Sequence, residues 1–428
     1  MTLLAWRKHV PKDWLVMPLR AVADYVVSNV DKVPADDELP VRLCNYSDVY
    51  NNEFIDLRLD FMRSTATEDE ISKFHLEVGD VLITKDSESW DDIGVPALVT
   101  MTDDDLVCGY HLALLRPRPE RLLGRFLLRC LQAKILRLQL ELAANGVTRF
   151  GLPKSDIGAM RLPIPPIETQ QSIAEALDKE AGRIDALISA KQHVLRLLSH
   201  KRTALFASAI TKGLDTTVKM CNSDVPWLGK IPSHWRIERA RWLFRERDER
   251  SETGDEELLT VSHITGVTPR SEKDVNMFEA ETNEGYKICF PGDLVINTLW
   301  AWMGAMGVAT VKGIVSPAYH VYEPTQELEP AYIDALVRLP VFAEEVTRYS
   351  KGVWSSRLRL YPEGFFETYL PVPPLSEQRV IINHIANEIT KLDALRSAAE
   401  NTIDLLKERR ATIIEAMVTG QITLESAA

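Results

Sequence analysis

Cysteine is scarce in this sequence, and its five copies show no CxxC spacing. An odd, dispersed set of cysteines is typical of buried thiols in a reducing compartment, and it argues against a disulfide framework or a zinc site. The sequence therefore predicts a cytoplasmic protein that binds no metal. The cysteines are Cys44, Cys108, Cys130, Cys221 and Cys289.

Long apolar runs are missing as well. No segment approaches the ~18–20 apolar residues of a membrane-spanning helix, so no contact with a membrane is expected. The beginning of the chain, MTLLAWRKHVPKDW, has no long apolar stretch before a small-residue cleavage site, so a signal peptide is not expected. Apolar residues still make up 45% of the 428 residues, the composition of a globular protein. Since a typical domain has ~100–200 residues, the length predicts more than one domain.

Positive charge is in deficit, which limits any interaction with nucleic acid to local patches. The chain has 50 Lys and Arg against 62 Asp and Glu, a net charge of −12 at pH 7. Residues 1–160 carry 19 basic and 25 acidic side chains, and residues 221–370 carry 16 and 23. One local run, residues 116–137, has seven basic residues and one acidic residue. We interpret this run as a solvated helix face, with a DNA-facing patch as the alternative.

Motifs of the common enzyme classes are absent too. The sequence has no GxxxxGK[ST] phosphate-binding loop, no GxGxxG after a strand, no HExxH and no GxSxG. It also lacks the Asn/Asp-Pro-Pro-aromatic signature of amino methyltransferases, because its Pro-Pro pairs follow Ile164 and Val372. No nuclease-like set of Asp with Glu-x-Lys stands out. We therefore expect a protein that is not an enzyme and that holds no cofactor of its own.

What the sequence has instead is a long internal repeat. LPIPPIETQQSIAEALDKEAGRIDALIS, residues 162–189, aligns without a gap to LPVPPLSEQRVIINHIANEITKLDALRS, residues 370–397. Of these 28 positions 11 are identical, over a shift of 208 residues. A self-match of this kind indicates a duplicated architecture.

After each PxPP, apolar residues recur at steps of mostly three, four or seven, the pattern of a helix with one apolar stripe. No proline interrupts residues 167–212 or 375–420, so each helix is predicted to have ~45 residues and a length of ~65–70 Å. A helix this long needs a partner to cover its stripe. We predict that the two helices pair with each other in antiparallel orientation. The alternative is that each folds back on its own domain.

The segments that precede the two helices also repeat, more faintly and with loops of different length. Each contains a Gly-Asp turn before an apolar run, which is typical of a turn leading into a buried strand. The corresponding pairs are HVPKDW (9–14) and KIPSHW (230–235), VGDVLITK (78–85) and PGDLVINT (291–298), CGYHLALLRP (108–117) and SPAYHVYEP (316–324), and NGVTRFGL (145–152) and KGVWSSRL (351–358).

The predicted fold class is α+β. Two mixed α/β domains are expected to be separated by a pair of long antiparallel α-helices, related by a pseudo-twofold internal repeat. The predicted boundaries are 1–162 and 216–370 for the domains, and 163–215 and 371–422 for the helices.

Loops that carry tryptophan, serine, arginine and glycine occur at comparable places in the two halves. Such side chains suit reading of base edges and holding of phosphates. The alternative is that the aromatic residues lie in the core and that the histidines pack beside a strand. The candidates in the first half are Lys85, Ser87, Trp90, His111, Asn145, Thr148 and Arg149. In the second half they are Trp300, Trp302, His320, Trp354, Ser355, Ser356, Arg357 and Arg359.

Taken together, these features resemble the specificity subunit of a type I restriction–modification system. The resemblance covers essentially the whole chain and depends on LPIPPIETQ and LPVPPLSEQ, the long helix after each, and NTLWAWMGAMGVA…GIVSPAYHVYEP. One modest departure is Thr169–Gln170 in the first copy, where the second has the family-like Glu377–Gln378.

The resemblance implies a non-catalytic subunit whose two target-recognition domains each read one half of a bipartite, asymmetric site in double-stranded DNA. It also implies that the long helices hold the domains apart and dock two methyltransferase subunits, which use S-adenosylmethionine to methylate adenine. Restriction subunits join that core. The alternative from another class is a coiled-coil scaffold or adaptor, which would show no salt-dependent affinity for duplex DNA. A methyltransferase fused to its own reader is a third possibility, against which the missing cofactor motifs argue.

Overall fold

Two units make up the chain. The computed structural model describes residues 5–272, 282–352 and 358–422. Unit 1 comprises Met1–Gln192 and Glu400–Ala428, and unit 2 comprises His193–Ala399. Each unit combines a mixed α/β domain with parts of two long helices.

Short strands and helices alternate along unit 1. Its strands are β1 (Leu15–Pro18), β2 (Ala23–Val27), β3 (Leu39–Cys44), β4 (Phe54–Ile55), β5 (Met62–Ala66), β6 (Val81–Thr84), β7 (Asp86–Ser87), β8 (Pro96–Val99), β9 (Leu106–Cys108), β10 (Leu112–Pro117), β11 (Asn145–Gly146), β12 (Phe150–Gly151) and β13 (Arg161–Ile164). Its helices are α1 (Tyr46–Asn51), α2 (Glu68–Phe74), α3 (Gly124–Gln132), α4 (Lys134–Glu141), α5 (Lys154–Ala159) and the first part of α6 (Ile167–Lys212).

The largest sheet of unit 1 has the strand order β2-β10-β6-β8-β4. Its central strand β6, with the sequence VLIT, is buried at every position, as expected for a short apolar run after a Gly-Asp turn. Gly79 in that turn has φ +100°, a backbone conformation that favours glycine. Phe126 and Leu127 of α3 pack in one cluster with Val81 of β6. Two three-stranded sheets, β5-β3-β9 and β11-β12-β7, complete the domain together with the β1-β13 pair.

Unit 2 repeats this plan with different loops. Its strands are β14 (Met220–Asn222), β15 (Lys230–Pro232), β16 (Arg236–Arg239), β17 (Phe244–Arg247), β18 (Leu259–Ser262), β19 (Gly266–Pro269), β20 (Lys287–Cys289), β21 (Leu294–Ile296), β22 (Met306–Val308), β23 (Gly313–Val315), β24 (His320–Pro324) and β25 (Tyr369–Val372). Its helices are α7 (Ala240–Leu243), α8 (Pro330–Val337), α9 (Pro340–Tyr349), α10 (Pro362–Phe366) and the first part of α11 (Leu375–Val418). The main sheet has the order β17-β24-β21-β22, in which β24 and β21 take the places of β10 and β6.

The duplication extends to individual hydrogen bonds. Leu19 N donates to Met160 O at 2.8 Å in unit 1, and Ala240 N donates to Thr368 O at 2.9 Å in unit 2. These atoms are related by the shifts 240 − 19 = 221 and 368 − 160 = 208, the same shifts that relate the sequence repeats. The pairs β1-β13 and β16-β25 are both antiparallel and follow the same shifts in register. The mixed α/β class and the two-domain layout predicted from the sequence are therefore confirmed.

The two long helices have 46 and 44 residues, which confirms the predicted length. Each ends before a glycine with φ +73°, Gly213 after α6 and Gly420 after α11. At Gly420 an added β-carbon would lie 2.2 Å from Pro11 Cδ. The chain after α11 can therefore approach Pro11 this closely only with glycine at position 420.

In unit 1 the two long helices contribute to one buried cluster. Ile173 of α6 lies in the same cluster as Ile414 and Met417 of α11. Arg410 Nε of α11 pairs with Asp185 Oδ1 of α6 at 3.1 Å. Later residues of α6 therefore contact earlier residues of α11, so these two segments run antiparallel.

In unit 2 the remaining parts of the two helices pair in the same sense. Ile210 of α6 shares a buried cluster with Ile381 of α11, and Arg202 Nη1 pairs with Asp393 Oδ1 at 2.8 Å. The domain also packs on the helix, since the buried Tyr332 hydroxyl donates to Ile210 O at 2.9 Å. Helix pairing and packing of each helix on a domain thus both occur within a unit.

Candidate nucleic-acid interface

In unit 1, two loops bring predicted contacts together around one carboxylate. Asp86 Oδ2 lies 2.7 Å from His111 Nδ1 and 3.1 Å from Lys85 Nζ. The side chains of Asp86 and His111 are 14% and 24% exposed. Lys85 N donates to His111 O at 2.9 Å, which fixes the two loops against each other. The cluster is therefore held by backbone and side chains and remains accessible at its edge.

His111 adopts an unusual backbone conformation, with φ +73°. Residues with a β-carbon rarely adopt this left-handed region. Arg149 Nη2 lies 3.2 Å from both imidazole nitrogens of His111. A nitrogen equally distant from both lies over the ring face and not in line with a lone pair, so we interpret the contact as stacking of the guanidinium on the imidazole. The ring of Tyr110, 3.9 Å away between centroids, packs against the same imidazole.

Arg149 belongs to a hairpin formed by β11 and β12, which pairs with β7. Gly146 closes this hairpin, and an added β-carbon there would lie 1.9 Å from Arg149 O. Asn145, Thr148 and Arg149 are exposed, and Val147 is 93% exposed. An exposed hairpin tip that carries a guanidinium and hydrogen-bonding side chains suits contact with phosphates or base edges.

Ser87 and Trp90 lie in different surroundings. Ser87 is buried, and its Oγ accepts from Ser89 N at 3.2 Å, so it shapes the loop from inside. Trp90 is 45% exposed. Tyr46 and Tyr50 stack with ring centroids 5.5 Å apart, a second aromatic surface that the sequence patterns do not indicate. Burial raises the pKa of Tyr46, and a hydrogen bond with Ser87 offsets part of that rise.

In unit 2, Trp300 and Trp302 form a stacked pair, with ring centroids 6.1 Å apart and ring planes at 20°. Trp300 is 50% exposed. The indole Nε1 of Trp302 donates to Leu299 O at 3.1 Å, so this ring offers an apolar face and not its N–H to a partner. The 3₁₀ turn Ala301–Met303 ends at Gly304, whose φ is +85°. The pair therefore forms an apolar platform at the surface of unit 2.

His320, at the start of β24, repeats the arrangement found at His111. Its Nδ1 lies 2.7 Å from Glu246 Oε1, and its side chain is 19% exposed. The buried Lys287 Nζ lies 3.7 Å from the same carboxylate oxygen. A cation, a carboxylate and an imidazole again form one cluster, but the carboxylate belongs to β17, whereas Asp86 belongs to β7.

Arg359 forms an isolated antiparallel bridge with Lys351 in unit 2. Lys351 and Arg359 exchange two backbone hydrogen bonds of 2.9 Å, and Arg359 is exposed. Leu360 N donates to Thr298 O at 3.1 Å, which ties this segment to the end of β21. The predicted contacts Trp354, Ser355, Ser356 and Arg357 lie outside the described residues.

Asp86 and Glu246 contact the candidate histidines, and the sequence analysis did not single them out. The adjacency of Asp86 to the candidate Lys85 is a signal that could have identified it. Glu246 lies in the charged stretch RERDER, residues 245–250, where nothing distinguishes it from its neighbours.

The basic run at residues 116–137 is not a free cationic surface, and its interpretation as a solvated helix face is wrong for Arg129. Arg129 is 1% exposed, and its guanidinium pairs with Glu53 at 2.7 Å and with Asp178 at 2.5 Å. Asp178 lies in α6, so this buried ion pair joins the domain to the long helix within unit 1.

Within the described residues, neither a disulfide nor a grouping of metal ligands is present. All five cysteines are free thiols. In the part of the chain that the structure describes, no group of three or more His, Cys, Asp or Glu side chains is placed to hold a metal ion. No helix in that part combines the length and apolar character needed to cross a membrane.

Comparison with known proteins finds similar sequences and structures. Residues 11–195 match the model of the type I restriction modification DNA specificity domain. A protein of Methanocaldococcus jannaschii, assigned as the specificity subunit of the type I restriction enzyme MjaX, is 20% identical over 98% of this chain and 96% of its own length. The EcoKI specificity subunit of Escherichia coli K12 is 19% identical over 97% of this chain and 90% of its own length.

Solved structures share the fold over nearly the full length. The HsdS subunit from Thermoanaerobacter tengcongensis aligns with a TM-score of 0.57 and 17% identity, covering 96% of this chain and 98% of that chain. A chain from a study of complex assembly and conformational transition of the type I R-M system aligns with a TM-score of 0.64 and 17% identity, covering 96% and 99%. Residues 11–195 thus match the type I restriction modification DNA specificity domain, and over nearly its whole length the chain is similar in sequence to specificity subunits of type I restriction enzymes.

Proposed function

We propose that each of the two domains reads one half of a bipartite site in double-stranded DNA. The observation that carries this proposal is that one backbone frame displays different exposed side chains in the two units. Unit 1 offers the Arg149 hairpin, and unit 2 offers the Trp300–Trp302 platform. Base readout depends on which side chains a frame presents, so a duplicated frame with unlike side chains suits two unlike half-sites. On this proposal the subunit itself is not catalytic.

Local charge supports contact with DNA despite the overall net charge of −12. Lys85 and Arg149 converge on the His111 cluster, and Arg359 is exposed next to its bridge with Lys351. Cations of this kind neutralise phosphates and hold a protein in register on a duplex.

We further propose that the long helices dock two methyltransferase subunits and that restriction subunits join this core. Lys179 and Arg183 of α6 are exposed, and Arg183 pairs with Glu180 at 2.5 Å. The sequence around them repeats more faithfully than the domains do, as expected for a surface that binds the same partner twice. The free thiols and the proposed binding of DNA are consistent with a cytoplasmic location.

Methylation mapping tests the proposal. The chain is expressed with its partner methyltransferase subunit in cells that lack other adenine methylation, and the genome is sequenced by a single-molecule method that detects methyladenine. A split sequence with a constant gap is expected. If methylation did not depend on this chain, or if the purified complex bound duplex DNA without a steep dependence on salt, the scaffold alternative would replace DNA recognition.

A further inference from the structure

The two histidines lie at the same end of corresponding strands, although not at the same position: His320 pairs with Ile296 of β21 as Ala113 pairs with Ile83 of β6. His111 directly precedes β10, and His320 is the first residue of β24. Each has its Nδ1 2.7 Å from a carboxylate oxygen. Each side chain stays partly accessible, 24% and 19% exposed. The ring orientation is thus fixed in the same way in both units.

The carboxylates that fix the rings come from positions that do not correspond. The shift that relates the Gly-Asp turns, 291 − 78 = 213, places Leu299 at the position of Asp86. The shift that relates the neighbouring strands, 240 − 19 = 221, places Tyr25 at the position of Glu246. If the pair were only a remnant of the duplicated frame, the partner would lie at the same place in both units. The common feature is therefore the held imidazole and not the residue that holds it.

In unit 1 the histidine also has an unfavourable backbone conformation. His111 has φ +73°, and its ring lies between Asp86 and the guanidinium of Arg149. Residues that several contacts hold in a rare backbone conformation cluster at active sites and ligand-binding sites. In unit 2, the charged groups around the ring include Glu246 and, beyond it, Lys287.

We propose that Asp86 and Glu246 are positioning residues that set the tautomer of a base-reading histidine in each domain. A carboxylate that accepts a hydrogen bond from Nδ1–H leaves Nε2 of the neutral imidazole as an acceptor. In the major groove the matching donors are the exocyclic amines of adenine and cytosine. Each histidine therefore favours an adenine or a cytosine at one position of its half-site. This inference rests on the proposed reading of one half-site by each domain.

Substitutions that change the tautomer without removing the ring test the inference. In Asp86→Asn the amide can donate to Nδ1, which moves the imidazole proton to Nε2 and makes it a donor. The expected result is a loss of about 10-fold in discrimination at a single base pair of one half-site, because an Nε2 donor can bond to the acceptors of guanine and thymine, which the Nε2 acceptor cannot. Glu246→Gln should do the same in the other half-site only. The carboxylate variants Asp86→Glu and Glu246→Asp should restore the original preference.

The readout is methylation of genomic sites that differ from the wild-type target at single positions, with the full chain in its methyltransferase complex. The other half-site serves as the internal control for each variant. Asp86→Asn combined with His111→Ala should discriminate no worse than His111→Ala alone, because the carboxylate acts through the ring. Thermal melting of each complex separates this effect from loss of folding.

A uniform fall in methylation across all base variants, or additive effects in the double variant, would overturn the inference and leave the carboxylates with a purely structural role. A wild-type complex that methylates without any sequence preference would instead refute the proposed function, and this inference with it.

Discussion

The glutamine that follows each PxPP segment should be among the most sensitive positions in the chain. Gln170 is 0% exposed. Its Oε1 accepts from Leu123 N at 2.9 Å, and its Nε2 donates to Arg121 O and Pro165 O, both at 2.9 Å. One side chain thus ties the start of α6 to the backbone just before α3. In unit 2, Gln378 repeats two of these three contacts.

Gln378 Oε1 accepts a hydrogen bond from Glu329 N, and Gln378 Nε2 donates one to Pro373 O, both at 2.9 Å. Replacing either glutamine by leucine keeps the volume and leaves backbone groups that are buried or partly buried without this partner. An unsatisfied buried group costs ~1–3 kcal/mol. Taking the lower value, Gln170→Leu should destabilise unit 1 by about 3 kcal/mol, and Gln378→Leu should destabilise unit 2 by about 2 kcal/mol.

For domains of ~150–250 residues, 1 kcal/mol changes the midpoint of thermal unfolding by ~2–4 °C. Scanning calorimetry of the full chain should therefore show a fall of about 6–12 °C for Gln170→Leu and about 4–8 °C for Gln378→Leu, each in the transition of its own unit. The matched control is Gln171→Leu. Gln171 is the exposed neighbour of Gln170, and its side-chain amide donates a hydrogen bond to Glu175 on the same helix. A loss for the control equal to that for Gln170→Leu would contradict the role given to the buried hydrogen bonds of Gln170, and the prediction would fail. So would unchanged melting of Gln170→Leu with defective assembly, which would make this glutamine a docking residue.

Three further predictions concern the Arg149 hairpin, the exposed surface of α6 and the cysteine thiols. Arg149→Ala should weaken specific DNA binding by about 10–100-fold if the guanidinium reads a base, and an equal loss on random duplex would make it a phosphate contact. Charge reversal at Lys179 or Arg183 should reduce copurification of the methyltransferase subunit with little change in melting, and an undiminished two-to-one ratio would contradict that docking surface. Burial, together with the nearby Asp293 charge, raises the pKa of the Cys289 thiol to about 12, so this thiol should resist a disulfide reagent at pH 8 until the chain unfolds, whereas the partly exposed Cys221 should react first.

The parts of the fold that follow from local rules were predictable from the sequence. The proline-bounded, uninterrupted apolar stripes predicted both long helices, and the terminal glycines Gly213 and Gly420 adopt the left-handed conformation that ends a helix. The apolar run after each Gly-Asp turn predicted the central strands β6 and β21. Each of these signals lies within a few residues of the feature that it specifies.

The parts that depend on distant contacts were not predictable. Arg129 reads as one more cation in a basic run, yet it is buried because Glu53 and Asp178 approach from elsewhere in the chain. The partnership of His320 with Glu246 spans 74 residues and leaves no trace in spacing. Buried charge pairs are set by tertiary geometry, and a single sequence shows only the charges.

Exchange of one domain tests whether each domain reads one half-site. Residues 15–150 are replaced by the corresponding segment of a relative with a different target, and adenine methylation is mapped with the same methyltransferase subunits. Two separate readers predict a new sequence in one half of the methylated site, with the other half and the gap unchanged. A site altered in both halves would contradict the assignment of one half-site to each domain.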